Sequence, residues 1–266
     1  MQRYLARDGA VLSYGDAGGA GSPALLFVHG WQGDRSIWDA IVARLREKFR
    51  CIAVDLRGFG ASSSARGPYT LEQHSEDLRG LVEFLRLGRA VVIGHSMGGK
   101  IAVRFAVDAE SLVEALVLVA PVPLGPAGFS EKGVAYLRAT AGNAPAARAW
   151  LTKTIMAPPS AEVLDRLCTV ASRASSAAVE QSLDSWVETD LSDEAKRLTE
   201  PALVIGFQHD APERVRDKAA ALLPNARFEE VQDCAHYAVL EQPLPVAQLI
   251  EAFVSRLEGT QQRREV

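Results

Sequence analysis

Short aliphatic runs alternate along the chain with longer stretches in which apolar residues return every three or four positions. The runs cover residues 24–28, 51–54, 89–93, 115–119 and 202–206, and residues 11–14 and 227–231 also read as strands although Ser13, Arg227, Glu229 and Glu230 interrupt them. A brief continuous apolar run reads as a strand buried on both faces, as in a parallel sheet. Between the runs, residues 36–45 carry Ile37, Ile41, Val42 and Leu45 at helical spacing. Residues 71–85 carry Leu71, His74, Leu78, Leu81, Val82 and Leu85 and stop at Gly88. Further helices are expected after Gly99, over residues 213–223 and over residues 245–257. This alternation predicts an α/β fold: a doubly wound, mostly parallel sheet with helices on both faces.

The alternation stops at Pro121-Val122-Pro123. From there to about Glu200 the sequence is rich in alanine and reads as helices without strands, broken at Gly142, Pro145, Pro158-Pro159 and Ser175-Ser176. A helical stretch between two sheet strands cannot join the sheet, so residues 123–200 are expected to form a cap. Residues 1–122 and 201–259 would then form the core, and 260–266 a frayed tail. Leu137, Trp150, Leu151, Ile155, Met156, Leu164, Leu167, Leu183 and Trp186 would divide between the cap's own packing and the roof of a pocket. Trp150, Ile155 and Trp186, with Trp31 from below, are the expected pocket residues.

Length and composition narrow the picture. A chain of 266 residues, 48% hydrophobic, can bury one large core. Its net charge of -4 lacks the basic stripe of a nucleic-acid binder, and no apolar run reaches the length of a membrane span. Without the apolar core of a secretory signal near Met1, the expectation is a soluble, cytoplasmic protein acting on a small molecule. Cys51, Cys168 and Cys234 are too scattered for a disulfide framework or a CxxC site. No pairing of histidines and carboxylates has zinc-like spacing, so neither metal nor cofactor is expected. No oligomeric state is implied.

One motif carries chemistry. Gly94-His95-Ser96-Met97-Gly98 is G-x-S-x-G between a strand and a helix, the context of a turn that presents a serine hydroxyl at a strand's carboxyl end. The same stretch nearly spells a phosphate-binding loop through Gly94, Gly99 and Lys100. Ile101 stands where the magnesium-binding Ser or Thr would be needed. A serine hydroxyl needs a base within reach and a third group to orient that base. Asp210, just past the strand at 202–206, and His236, after the last strand, follow Ser96 in the order nucleophile, acid, base. Cys234 as nucleophile lacks the strand-turn-helix setting. His209 adjoins the acid, and Asp190 and Asp193 belong to the cap rather than the rigid sheet. His29 is expected to buttress its own loop, His74 to sit on a helix, and His95 to point away from the pocket.

These segments resemble those of the α/β-hydrolase superfamily over almost the whole chain. His29-Gly30-Trp31 is similar to its oxyanion loop, and Asp55-Leu56-Arg57-Gly58-Phe59-Gly60-Ala61-Ser62 to its D-x-R-G-x-G-x-S segment. Gly206-Phe207-Gln208-His209-Asp210 resembles the acid loop, and Ala235-His236 with Glu241-Gln242-Pro243 the histidine loop. Cys234-Ala235 departs from the commoner small run before the histidine, and His209 from the usual glycine or acidic residue before the aspartate. The resemblance implies an eight-stranded sheet with a helical cap after strand 6. It also implies the triad Ser96, Asp210 and His236, with the backbone amides of Trp31 and Met97 as oxyanion donors.

The expected activity is serine hydrolysis of a carboxylic ester or lactone of a small, largely apolar substrate. Relatives with an aspartate at the elbow, the haloalkane dehalogenases and epoxide hydrolases, are excluded by Ser96. Perhydrolase or non-haem chloroperoxidase chemistry, carbon–carbon bond hydrolysis and cofactor-free oxygenation remain as alternatives on the same triad, as does a non-catalytic ligand receptor.

Overall fold

Eight strands make one sheet in the order β1-β2-β4-β3-β5-β6-β7-β8 in the computed structural model, which describes residues 1–19, 21, 23–156, 160–209 and 213–262. The strands are β1 Gln2–Leu5, β2 Val11–Ala17, β3 Ala24–Val28, β4 Cys51–Val54, β5 Ala90–His95, β6 Val113–Val119, β7 Ala202–Phe207 and β8 Ala226–Val231. The pairs from β4 through β8 are parallel, while β1 with β2 and β2 with β4 run antiparallel.

The helices are α1 Asp39–Leu45, α2 Leu71–Phe84, α3 Met97–Asp108, α4 Glu131–Arg138, α5 Ala144–Leu151, α6 Ala161–Ala171, α7 Ser176–Glu188, α8 Ser192–Ala195, α9 Glu213–Leu222, α10 Ala238–Glu241 and α11 Pro243–Gln262. Successive strand side chains point to opposite faces. In β3, Leu26 and Val28 therefore join an apolar cluster with Leu78 of α2 and Ile101 of α3, whereas Leu25 and Phe27 join one with Ile41 of α1 and Ile250 of α11. Both faces are covered, as the uninterrupted apolar runs require.

Three details differ from the expectation. β1 lacks an apolar run because only Tyr4 of its four residues is buried. The helix expected over residues 36–45 begins as a 3-10 turn, Arg35–Trp38, where the Asp34 side chain accepts the Ser36 amide at 2.9 Å, and becomes α-helical at Asp39. α11 starts two residues earlier than expected and continues through Gln262, past the boundary placed at 259.

Between β6 and β7 lie α4 to α8, with no strand among the described residues. Helix starts fall after polar caps: Ser130, Asn143, Ser160 and Ser175 each accept a backbone amide three residues on. Gly142, at φ +64°, separates α4 from α5, and Pro145 occupies the first turn of α5. Pro158 and Pro159 lie outside the described residues. The insertion is bonded to the core through Trp31 Nε1 to the Val179 carbonyl at 2.9 Å, Gln32 Nε2 to Thr140 Oγ1 at 2.7 Å, and the Ser175 amide to the Gly58 carbonyl at 2.9 Å.

Candidate active site

Ser96 joins β5 to α3 with φ +55° and ψ −120°, a region that side chains other than hydrogen rarely occupy. The neighbouring structure holds it there. Its amide donates to the Val119 carbonyl of β6 at 2.9 Å, and its carbonyl accepts the amides of Gly99 at 2.9 Å and Val122 at 3.3 Å. A Cβ on Gly94 would collide with the Gly98 backbone, and one on Gly98 with the carbonyls of Val28 and His29. Both glycines are therefore required by close backbone approach, as the motif predicted.

His236 reaches the serine. Its Nε2 lies 3.0 Å from Ser96 Oγ, within hydrogen-bond distance of the hydroxyl. Two groups brace the histidine loop: His95, expected only to point away from the pocket, and Glu241, which the resemblance placed in that loop without a role of its own. His95 Nε2 lies 2.8 Å from the His236 carbonyl, with the two rings 4.9 Å apart, so the residue facing away from the cavity braces His236 from behind. Glu241 accepts the Ala235 amide at 3.0 Å and the Met156 amide at 2.5 Å, tying the histidine loop to the insertion. The Thr154 carbonyl also takes the His236 amide at 3.1 Å. Asp210 lies outside the described residues. Its neighbour His209 donates its amide to the Cys234 carbonyl at 3.1 Å, which joins the expected acid and histidine loops.

The loop after β3 runs beside the serine. His29 Nδ1 lies 2.8 Å from the Gly30 carbonyl, and Nε2 accepts the Leu56 amide at 3.0 Å. This pairing fixes the proton on Nδ1, and burial holds the ring's pKa below its usual value, so it stays neutral. His29 is thus a buttress, as expected. The D-x-R-G segment braces this loop: Asp55 accepts the Arg35 amide at 2.8 Å and the Ala61 amide at 3.2 Å.

Above Ser96 and His236 is a cavity of about 390 Å³ with Trp31, Phe129, Leu137, Trp150, Lys153, Trp186, His209 and Tyr237 among its walls. Trp31 packs edge-on against Trp150 and Trp186, with ring centroids 5.2 and 6.3 Å away. Three of the four expected pocket residues line it. Ile155 does not: it is buried with Leu151, Leu164 and Leu167 of the insertion against Tyr237 of the histidine loop. Phe129 and Tyr237 had no distinguishing signal in the pattern. Tyr237 does adjoin His236 in sequence, and their rings stand 5.5 Å apart. A wider depression, about 820 Å³, lies at the opposite ends of the strands among Arg89, Glu114, Glu200 and Arg227, remote from Ser96 and His236.

Among the described residues, no group of three or more His, Cys, Asp or Glu side chains is placed to hold a metal ion. Nor is any helix long and apolar enough to cross a membrane.

Residues 25–249 match the model of the alpha/beta hydrolase family, and the chain belongs to that family. The 3-oxoadipate enol-lactonase 2 of Acinetobacter baylyi is 27% identical over 262 residues, covering 95% of this chain and 96% of that one. The structure of a thermophilic esterase from Thermogutta terrifontis superposes with a TM-score of 0.86 at 28% identity, over 97% of this chain and 99% of the esterase. Uncharacterized proteins of Mycobacterium tuberculosis are 38% identical over 101 residues, so the chain spans only 30% of their length.

Proposed function

We propose that this protein is a serine hydrolase that cleaves a carboxylic ester or lactone of a small, largely apolar substrate through an acyl-enzyme. The observation that carries the reading is the 3.0 Å separation of Ser96 Oγ and His236 Nε2 at a strained elbow under an aromatic cavity. In this reading His236 accepts the hydroxyl proton as Ser96 Oγ bonds to the substrate carbonyl carbon. The carbonyl oxygen takes up the negative charge. As the tetrahedral centre collapses, the bond to the leaving alcohol breaks and His236 returns the proton to it; in a lactone that alcohol stays attached. Water then attacks the ester on Ser96, His236 takes a proton from it, and the acid departs with Ser96 regenerated.

His236 must start with its proton on Nδ1, and Asp210 is the group we assign to hold that tautomer and offset the imidazolium charge. The amides of Met97 and Trp31 are assigned to the developing oxyanion, where each donor is worth about 3 kcal/mol or more. Residues 123–200 act as the cap: Trp150 and Trp186 close the cavity over the serine and exclude water. Their apolar rings, with Trp31, favour alkyl or aryl groups on the substrate.

Short p-nitrophenyl esters test the proposal. Ser96→Ala is expected to lower kcat by about 10⁴-fold or more. Turnover retained in that variant would reject the acyl-enzyme.

A further inference from the structure

Lys100 is a buried cation with no part in the chemistry proposed above. It lies in the first turn of α3, four residues after Ser96, where the helix dipole disfavours positive charge. Its side chain is fully buried. What offsets this placement is a set of three backbone acceptors: Nζ donates to the carbonyls of Gly125 at 2.8 Å, Trp186 at 2.9 Å and Thr189 at 2.6 Å. Gly125 is on the segment leaving β6 for the insertion. Trp186 and Thr189 are at the carboxyl end of α7, where unpaired carbonyls favour a cation.

One ammonium thus ties the outgoing and returning segments of the insertion to the helix that carries the nucleophile. Two backbone bonds join the same segments, Leu191 to the Leu124 carbonyl at 2.8 Å and Ala127 to the Val187 carbonyl at 2.9 Å. The tied segments bear one wall of the cavity: Phe129 and Trp186 stand edge to face with centroids 5.8 Å apart.

We propose that Lys100 is a positioning residue for substrate recognition, its three carbonyl bonds fixing the Phe129–Trp186 wall at a set distance from Ser96. This rests on the hydrolase reading of Ser96. Lys100 does not line the cavity, so its effect falls on how tightly large acyl groups are held rather than on proton transfer. Burial pushes its pKa down to about 8. A neutral amine has two donors for three carbonyls, so the tie weakens in mild alkali. The charge acting on it from the insertion is Asp190, which opposes the shift. Arg104, one turn on, is paired with Asp108 and faces Glu72 of α2 and Glu194 of α8.

The test compares wild type with Lys100→Met, which keeps the length and loses the donors, on p-nitrophenyl acetate and octanoate, with hydrogen exchange measured on both proteins. The expected result is a rise of about tenfold in KM for the octanoate with a much smaller change in kcat, and faster exchange in residues 124–129 and 186–191. Unchanged KM, or unchanged exchange in those segments, would overturn the proposal. If Lys100→Met does not fold, wild type decides: its octanoate KM should climb between pH 7 and 9.5 at steady kcat, and a flat KM refutes the role. If wild type hydrolyses neither ester, the reading of Ser96 has failed. The exchange comparison then decides by itself whether Lys100 holds the wall.

Discussion

Gly30 lies against Ser96: a Cβ on Gly30 would stand 3.0 Å from the serine Cβ and 3.0 Å from His95 Nδ1. The loop bearing the Trp31 amide and the elbow bearing Ser96 are therefore in contact with no side chain between them. Gly30→Ala must move one against the other. A shift of a few tenths of an ångström is tighter than the fold tolerates freely yet small enough to survive folding. Turnover of p-nitrophenyl acetate is expected to fall by about 10- to 100-fold in kcat, with Tm little changed. Undiminished kcat would mean that this loop takes no part in stabilising charge.

Arg57 anchors the D-x-R-G segment in the core. Its guanidinium is buried and forked on Asp77, with Nε to Oδ2 at 2.9 Å and Nη2 to Oδ1 at 2.6 Å, and Nη1 reaches Asp8 and the Arg66 carbonyl. Removing one side of such a pair strands a buried charge. Asp77→Ala is expected to lower unfolding stability by about 3–5 kcal/mol, measured by urea denaturation. A loss below 1 kcal/mol would show that Asp8 alone satisfies the guanidinium.

His74 makes stability fall in acid. It is fully buried on α2, neither ring nitrogen has a hydrogen-bond partner among the described residues, and burial, followed by the neighbouring His29 and Arg57, pulls its pKa down to about 3. The unfolded chain takes up a proton near pH 6.5, which the folded protein refuses until about pH 3. The folded state is therefore unaffected above pH 6.5 and loses stability progressively between there and pH 3. His74→Leu severs no bond, so its stability at pH 7.5 should be within about 1 kcal/mol of wild type. Between pH 6.5 and 4 its Tm should fall less steeply. Parallel Tm curves for the two proteins would show that His74 is solvated or paired.

Which parts of this architecture were legible follows from what pattern encodes. The inner strands of the parallel sheet announce themselves because burial on both faces leaves runs such as Ala24–Val28 with no polar interruption. Ser96 was legible because its backbone conformation demands Gly94 and Gly98, and that demand is written in residue type. β1 was not, since an edge strand with one buried residue has no run to read. The insertion was recognisable as helical, yet Ile155 and Trp150 have the same apolar character. Only the packing of α5 and α6 turns one into a core and leaves the other on the cavity. His95 and Lys100 act through backbone groups far away in the chain, as Glu241 does through the Met156 amide. No spacing rule reaches across 141 residues from His95 to His236.

The central claim is that Ser96 is the nucleophile and His236 its base. Incubation with a fluorophosphonate followed by intact and peptide mass measurement tests it most directly. One adduct is expected on wild type, located at Ser96, absent in Ser96→Ala and formed far more slowly in His236→Ala. No adduct on wild type, or an adduct on another residue that persists in Ser96→Ala, would contradict it.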